Sequence, residues 1–537
     1  MLAKQFDAYS YSDTTTFNVN QIRMNIAQRK RNLREPLITR FALTIIWFLF
    51  PIFEGHSAPD GSLPNVIYCL TDDQGWGDVS YNGHPVIKTP HLDAMASEGL
   101  RCDRFYAAAS VCSPTRATLV TGRNNWRVNI SSPTAFGEAS LPKEEITLAQ
   151  YLKPKGYTSA HFGKWHIGEF DKTLAKHHYY PPWEAGFDVT FSTRNVIATR
   201  DPYKRADRNK DLAERKRINQ QLYFDNGVMI PLEVALKDPS LQGDDCRILM
   251  DRTEAFIRKM AKEGTPFYIY LCFHAVHTPL VTIPEYHQKY YRDLSDKEAN
   301  YYSNISAIDA QMGRLRALLR ELKIADNTML WFSSDNGPNL KGKKSPESGD
   351  AQNGRFTYTK IGSTGAYKGW KRYGWEGGIR VCGLIEWPAV LKPGLHRNYP
   401  IVTTDFVPTV LAAVGITPSP DKPLDGENLL PYFKGERLRR KKAIGFHANG
   451  WDAWMTQQYK IVKGGKPGQG TEGQWELYDL EKDPFEDTNL AAQSPEVMQR
   501  LLHEWEAWSA GARADCETAQ KKYPPIKGLK HITKGHK

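Results

Sequence analysis

Asn65-Val-Ile-Tyr-Cys-Leu-Thr71 is an unbroken apolar run, closed on one side by Pro64 and on the other by the acidic pair Asp72-Asp73. A run this short and this uniformly apolar predicts a strand covered on both faces, the pattern of a parallel sheet. Comparable runs recur at Thr158–Phe162, Phe267–Phe273 and Thr328–Ser333, with helical patterns such as Ile308–Leu322 between them. Strands alternating with helices predict a layered α/β architecture. In such sheets ligands bind beyond the carboxyl ends of the strands. Each run here ends in residues that can do chemistry: Asp72-Asp73, Lys164 and His166, His274 and His277, Asp335-Asn336. That convergence predicts one site.

The texture changes over residues 418–442, where Pro418, Pro420 and Pro423 precede the basic run Arg437, Arg439, Arg440, Lys441, Lys442. A boundary near 436 divides a large domain, 58–435, from a smaller C-terminal part, 436–520. There Gln458–Lys463 and Trp475–Leu480 predict two strands joined by GGKPGQGTEG, hence a small antiparallel sheet. Ser494-Pro495 opens a helix, Ser as N-cap and Pro in the first turn, with Val497, Leu501, Trp505 and Trp508 on one face. No internal repeat and no glycine-rich nucleotide loop is present, so phosphate-cofactor readings have little support.

Composition changes the picture mainly at the ends. The 537 residues are 40% hydrophobic and 24% charged, which excludes a disordered, collagen-like or multi-span membrane protein. The net charge is +11, but residues 1–40 carry +4 and residues 521–537 carry +6, leaving +1 for the body between them. A near-neutral body argues against nucleic acid as a partner. Residues 521–537 read as a basic tail. Near the start, the 13-residue uncharged run FALTIIWFLFPIF follows Arg29, Lys30, Arg31, Arg34 and Arg40. It falls short of the ~20 residues a spanning helix needs. The pattern predicts a secretory signal over 1–57, cut after Ser57, with residues 1–23 a mis-called start before Met24. It therefore predicts a secreted or extracytoplasmic protein (periplasm, cell surface or lumen), with no stable membrane insertion after cleavage. A retained anchor is the other reading. Seven dispersed cysteines without a CxxC pair exclude a disulfide scaffold and structural zinc, and Cys69, Cys272 and Cys382 read as small buried hydrophobes.

Cys112 is different. In Cys112-Ser-Pro-Thr-Arg116-Ala-Thr-Leu-Val-Thr-Gly122-Arg123, Pro114 lies near a helix start and Gly122 at a C-cap, which places Cys112 at a helix N-terminus. Such a place favours anions and activates a nucleophile. C-S-P-T-R followed by T-G-R resembles the signature of the sulfatases, members of the alkaline-phosphatase-like superfamily. The resemblance extends over roughly residues 64–490. It runs through LTDDQGWGD, CSPTRATLVTGR, GKWHIGE, FHAVHTPL, SSDNGP, KGWKRYGWEGGIR and WELYDLEKDPFEDTNL, in the family's order. Cys382 departs from it, standing where Arg380-Val381 is commonly followed by proline. The fold implied is an alkaline-phosphatase-like layered α/β domain: a large mixed, mostly parallel sheet between helices, plus a smaller C-terminal domain with an antiparallel sheet and a helix.

Asp72, Asp73, Asp335 and Asn336 offer four oxygen-bearing side chains from two strand ends, hard ligands that suit Ca²⁺ or Mg²⁺. The resemblance implies one Ca²⁺ ion, with Cys112 completing the metal set. It also implies that Cys112 is oxidised to Cα-formylglycine (3-oxoalanine) by a formylglycine-generating or sulfatase-maturating enzyme. The hydrated aldehyde would then attack the sulfur of a sulfate ester. Arg116 would hold that group, and Lys164 would neutralise the sulfuryl oxygens. Lys371 and His277 would serve the leaving oxygen, and His166 would withdraw a proton to release sulfate. Lys371 is chosen over Lys368 and Arg372 because it lies five residues before Glu376. Those two read as a solvated face and His274 as structural. The basic stretches Arg200–Arg217 and Lys341–Lys344 either hold further sulfates of an anionic polysaccharide or form solvated surface.

The expected substrate is a sulfated carbohydrate, with aryl sulfates as artificial substrates. Two alternatives stand beside this. A phosphate or phosphonate monoester hydrolase of the same superfamily would reveal itself by its relative rates on aryl sulfate and aryl phosphate. A non-catalytic carbohydrate-binding protein would result if Cys112 stayed unmodified.

Overall fold

In a computed structural model of the chain, the described residues are 62–524 apart from 134–138, 174–176, 208–221, 341–360, 449 and 465–472. The signal region, most of the basic tail, Lys341–Lys344, much of Arg200–Arg217 and most of the GGKPGQGTEG connection lie outside them. All described residues fall within one compact unit, Gly55–Lys537.

The four apolar runs form the middle of a ten-stranded sheet. Five adjacent strands are parallel, in the order Thr328–Ser334, Asn65–Thr71, Phe267–Cys272, Thr158–Lys164, Val189–Thr193. Beyond Thr328–Ser334 the sheet continues through Gly383–Glu386, Leu100–Cys102 and Leu395–Arg397, with Gly383–Glu386 antiparallel to its neighbours. At the far edge lie the short antiparallel strands Phe224–Asp225 and Val228–Met229.

The runs are largely apolar because each face of the sheet has its own core. Ile67, Cys69, Ile269, Leu271, Leu330 and Phe332 pack in one cluster with residues of helices Pro90–Glu98, Asp245–Glu263 and Asp296–Glu321. Val66, Tyr68, Leu70, Tyr268, Tyr270 and Trp331 pack in the other with helices Cys112–Thr121 and Phe406–Ala413. Successive side chains of a strand point to opposite faces, so burial on both sides favours apolar residues along the strand; His161, inside Thr158–Lys164, is buried with its Nδ1 2.7 Å from Ser192 Oγ. All seven cysteines are buried and unpaired, Cys382 among them.

The C-terminal part has four antiparallel strands, twice the number expected. Ile444–Ala448 and Trp451–Met455 precede Tyr459–Lys463 and Trp475–Asp479 in a meander. All four strands are five residues long, and Ile444–Ala448 alternates buried and half-buried positions, with Gly445 and His447 at the half-buried ones. Gly445 is needed there, since a Cβ would stand 2.4 Å from the Trp508 ring. Helix Pro495–Lys522 covers this sheet through Leu501, Trp505 and Trp508, with Val497 beside them. Ser494 precedes it at φ −134°, ψ 59° and makes no side-chain capping bond, contrary to the expected N-cap role. The basic run at 437–442 is only partly solvated. Arg440 is buried and binds Asp405 through two bonds of 2.5 and 2.8 Å, tying the segment before the small sheet to the start of helix Phe406–Ala413.

Candidate active site

Thr71 and Ser334 end adjacent parallel strands in register, so Asp72-Asp73 and Asp335-Asn336 leave the sheet side by side. The hydrogen bonding runs one step further. Asp335 N–H donates to Thr71 O at 3.1 Å, Asp72 N–H to Ala275 O at 3.0 Å, and Val276 N–H to Asp72 O at 2.7 Å. Lys164 ends the strand two places from Asn65–Thr71. Gly163 before it has φ 98°, and a Cβ there would lie 1.9 Å from Cys272 O, so this close approach admits only glycine.

Three buried carboxylates and three buried cations meet at these ends. Lys164 Nζ donates to Asp72 Oδ2 at 2.6 Å, and Lys371 Nζ to Asp73 Oδ1 at 2.5 Å. Arg116 donates from Nε and Nη2 to Asp335 Oδ2 at 3.0 and 2.7 Å, and from Nη1 to Lys164 O at 2.8 Å. Asp73 adopts φ 64°, a conformation Asp tolerates better than most residues. Its N–H donates to Asp335 Oδ1 at 3.2 Å, and Asn336 Nδ2 donates to its Oδ1 at 2.7 Å.

The electrostatics follow from burial set against these partners. Burial would raise the Asp72 carboxyl, but Lys164, His277, Arg116 and Lys371 outweigh it and hold Asp72 well below the usual carboxylate range. At Asp335, burial and the adjacent Asp72 win over Arg116 and push the carboxyl up to about 7. For Lys371, burial opposes the charge, yet Asp73 and Asp72 hold the ammonium pKa above its ordinary value.

Cys112 is the first residue of helix Cys112–Thr121, which Gly122 ends at φ 70°. Burial raises its thiol pKa, and Lys164 and Lys371 offset this only in part. The helix N-terminus was expected to activate this residue, but desolvation prevails and the unmodified thiol is held neutral. Arg116, one turn on, links the helix to both Asp335 and the Lys164 strand.

His166, at φ 62°, donates its N–H to Arg194 O at 2.9 Å, and Arg194 is paired with Glu169. Burial, reinforced by Lys164 and Arg116, keeps the His166 imidazole well below its ordinary range. His277 Nε2 lies 3.7 Å from Asp73 Oδ2. Its Nδ1 is 2.6 Å from Thr278 O; a carbonyl only accepts, so Nδ1 carries the hydrogen and Nε2 faces the carboxylates. His274 is buried between Asp245 and Thr193, 2.7 Å from each, in a structural role. Lys368, expected on a solvated face, is half-buried, 4.1 Å above the Trp375 ring and 3.2 Å from Tyr478 OH. Arg372 is exposed.

Several positioning residues escaped the sequence reading. Asp78 Oδ2 accepts from Gly75 N–H and from Tyr301 OH, both at 2.7 Å, closing the turn that carries Asp73. Asp78 ends the LTDDQGWGD segment, so its spacing was a visible signal. Tyr301, Asp245 and Thr193 carry no local one.

The residues present fit a hard divalent cation. Asp72 Oδ1 and Asn336 Oδ1 are buried oxygens without a hydrogen-bond partner among the described residues. Ligand atoms of Asp72, Asp73 and His277 lie within 4.8 Å of one another. Carboxylate and amide oxygens are the donors such an ion takes.

Carboxylates, cations and a helix N-terminus gathered at the carboxyl edge of a mostly parallel sheet define a hydrolase site for anionic esters, on an alkaline-phosphatase-like fold. Residues 64–416 match the sulfatase family, and residues 365–508 match "N-sulphoglucosamine sulphohydrolase, C-terminal". The chain is similar to human N-acetylgalactosamine-6-sulfatase, 29% identical over 473 residues covering 82% of this chain and 83% of that one. It is 30% identical to rat arylsulfatase G over 473 residues, 82% and 84% of the two chains. Among solved structures, Ps i-CgsB in complex with k-i-k-neocarrahexaose shares the fold at TM-score 0.69 and 24% identity, over 88% of this chain and all of that one. The chain belongs to the sulfatase family and is a sulfuric ester hydrolase. No described helix is long and apolar enough to cross a membrane.

Proposed function

We propose that a formylglycine-generating or sulfatase-maturating enzyme converts Cys112 to 3-oxoalanine, and that the mature enzyme removes sulfate from a sulfated carbohydrate with one Ca²⁺ ion bound. The observation that carries this reading is the meeting of Cys112, Lys164 and Lys371 with the three buried carboxylates in one electrostatic cluster. Asp72, Asp73, Asp335, Asn336 and residue 112 would hold the ion. When present, the hydrated aldehyde supplies an oxygen nucleophile and the ion supplies charge neutralisation at the sulfuryl oxygens.

The chain's own residues do the rest. Arg116 ties Asp335 and the Lys164 strand to the first turn of the Cys112 helix, fixing the spacing of nucleophile and cations. Lys164 and the helix N-terminus offset negative charge on the transferred group. Lys371 holds a proton toward the leaving oxygen with His277 Nε2 facing the same place, and His166 accepts a proton at residue 112.

A sulfated carbohydrate is favoured because relatives with this sequence pattern include an N-acetylgalactosamine-6-sulfatase, and a protein of the same fold was solved with a neocarrahexaose. Small aryl sulfates serve as artificial substrates. The basic cluster and apolar run before Glu54 act as a cleaved signal, and the enzyme works outside the cytoplasm. The domain division falls near residue 436. The test is the mass of the peptide containing residue 112 in active enzyme, which should be lighter than the cysteine form by the difference between H₂S and an oxygen atom. Active enzyme carrying only unmodified cysteine would overturn the reading.

A further inference from the structure

The turn that carries Lys371 holds an unexpected residue at its strained position. Tyr373 N–H donates to Trp370 O at 2.9 Å, closing a four-residue turn with Lys371 and Arg372 at its centre. Arg372 has φ 80°. Positive φ at the third residue belongs to a type II turn, where glycine or asparagine is favoured. Glycines stand close by at Gly369 and Gly374, yet the position that calls for one holds arginine. Strain of this kind persists only where surrounding structure enforces it, and it concentrates at functional sites.

Here the enforcing contacts are visible. Lys371 N–H donates to Pro338 O at 3.1 Å, and Arg372 N–H donates to Ser110 O at 2.8 Å, two residues before Cys112. With the backbone pinned on both sides, the two adjacent cations part company. Lys371 turns inward to Asp73, while Arg372 is exposed. The nearby Arg116, Arg194 and Arg380 are all ion-paired, whereas the Arg372 guanidinium makes no ion pair or hydrogen bond among the described residues. The turn is also stiffened from one side, since the Tyr373 ring lies 4.3 Å from Trp370 and stacks on Trp375 at 5.6 Å. The result is a guanidinium with no ion pair among the described residues, on a rigid turn next to the residue that serves the leaving group.

We infer that Arg372 is a specificity residue that binds a second anionic substituent of the carbohydrate, a sulfate or a carboxylate on the leaving-group side of the scissile ester. The guanidinium fork matches either group with two parallel hydrogen bonds, which a lysine cannot reproduce. This assignment rests on the sulfatase reading of the site. It adds to that reading a preference for polyanionic over singly sulfated carbohydrate.

Arg372→Gly is the informative variant, because glycine relieves the positive φ and separates strain from binding. Rates are compared on an aryl sulfate, a singly sulfated neutral disaccharide, a doubly sulfated disaccharide and a sulfated disaccharide bearing a uronate. The variant should keep kcat/KM on the first two within about twofold of the parent and melt no lower. It should lose about 10–100-fold on a doubly anionic substrate, mainly through KM, the scale of one charge-assisted contact. Whichever doubly anionic substrate suffers identifies the anion, and Arg372→Lys should recover only part of the loss. Equal losses on all four substrates would overturn the assignment, since Arg372 would then act only by holding Lys371. Unchanged rates on all four would overturn it as well. Calorimetric binding of both doubly anionic disaccharides to Cys112→Ala, with and without Arg372→Gly, reads the same contact without turnover. Equal affinities there refute the inference, whereas a parent enzyme inactive on every sulfate ester refutes the proposed function.

Discussion

Glu486→Gln tests whether the fold keeps a carboxyl group partly protonated where the small sheet meets the short helix Glu376–Ile379. Lys460 Nζ lies 3.1 Å from Glu376 Oε1 and 2.9 Å from Glu486 Oε1, and all three side chains are buried. Glu376 also has Arg380 at 3.4 Å, whereas Lys460 is the ammonium beside Glu486. At Glu376, burial is outweighed by Lys460, Arg380 and Arg104, and the carboxyl sits below its ordinary range. At Glu486, burial prevails over Lys460, Glu376 adds repulsion, and the carboxyl is pushed from 4.5 up to about 7. Between these values the folded chain binds more protons at Glu486 than the unfolded chain does. Its stability therefore falls as pH rises through that window and stays lower above it. The shift corresponds to roughly 3 kcal/mol. Glutamine keeps an acceptor for the Glu376 N–H, which donates to Glu486 Oε2 at 2.7 Å, but it never ionises. Chemical denaturation of parent and variant at about pH 5 and about pH 8 is the assay. The parent should lose roughly 3 kcal/mol more than the variant across that interval. Parallel pH profiles for the two proteins would refute the reasoning.

Cys112→Ala should abolish sulfate-ester hydrolysis with an unchanged melting temperature, checked by turnover of an aryl sulfate; residual turnover above background would displace Cys112 from its role. Exhaustive chelation, or Asp335→Ala, should remove activity and lower stability, by about 3 kcal/mol for an ion present at a hundred times its Kd; a melting curve indifferent to chelator would end the metal assignment. Lys371→Ala should slow sugar sulfates ~10²–10⁴-fold more than sulfates of acidic phenols, which leave without a proton. Lys368→Ala, whose ammonium lies on Trp375, should show no such leaving-group dependence. A steeper leaving-group slope for Lys368→Ala would move the role by three residues.

The sequence alone determined the elements that bury both faces. Asn65–Thr71, Phe267–Cys272 and Thr328–Ser334 stand out because a strand buried on both sides is largely apolar until it ends, and Thr158–Lys164 follows them with Ser159 and His161 buried inside it. The same constraint marked the site, since reactive side chains cluster where the apolar runs stop. Family motifs then pointed to Cys112 and Lys371. The strands Ile444–Ala448 and Trp451–Met455 escaped the sequence reading although the first alternates buried and half-buried positions and the second is mostly apolar; the structure pairs them beside Tyr459–Lys463.

Only the tertiary structure decided the pairings. Asp73 and Asp335 are 262 residues apart, and their bond exists because two parallel strands end in register. The Glu376–Lys460–Glu486 cluster joins residues from three separate segments, none of which signals its partners. Protonation was likewise invisible in one dimension. The helix N-terminus favours an anion at Cys112, whereas burial raises the pKa of its thiol. Side chains declare their type in the sequence, whereas burial and neighbouring charge, which set their chemistry, exist only once distant strands have packed.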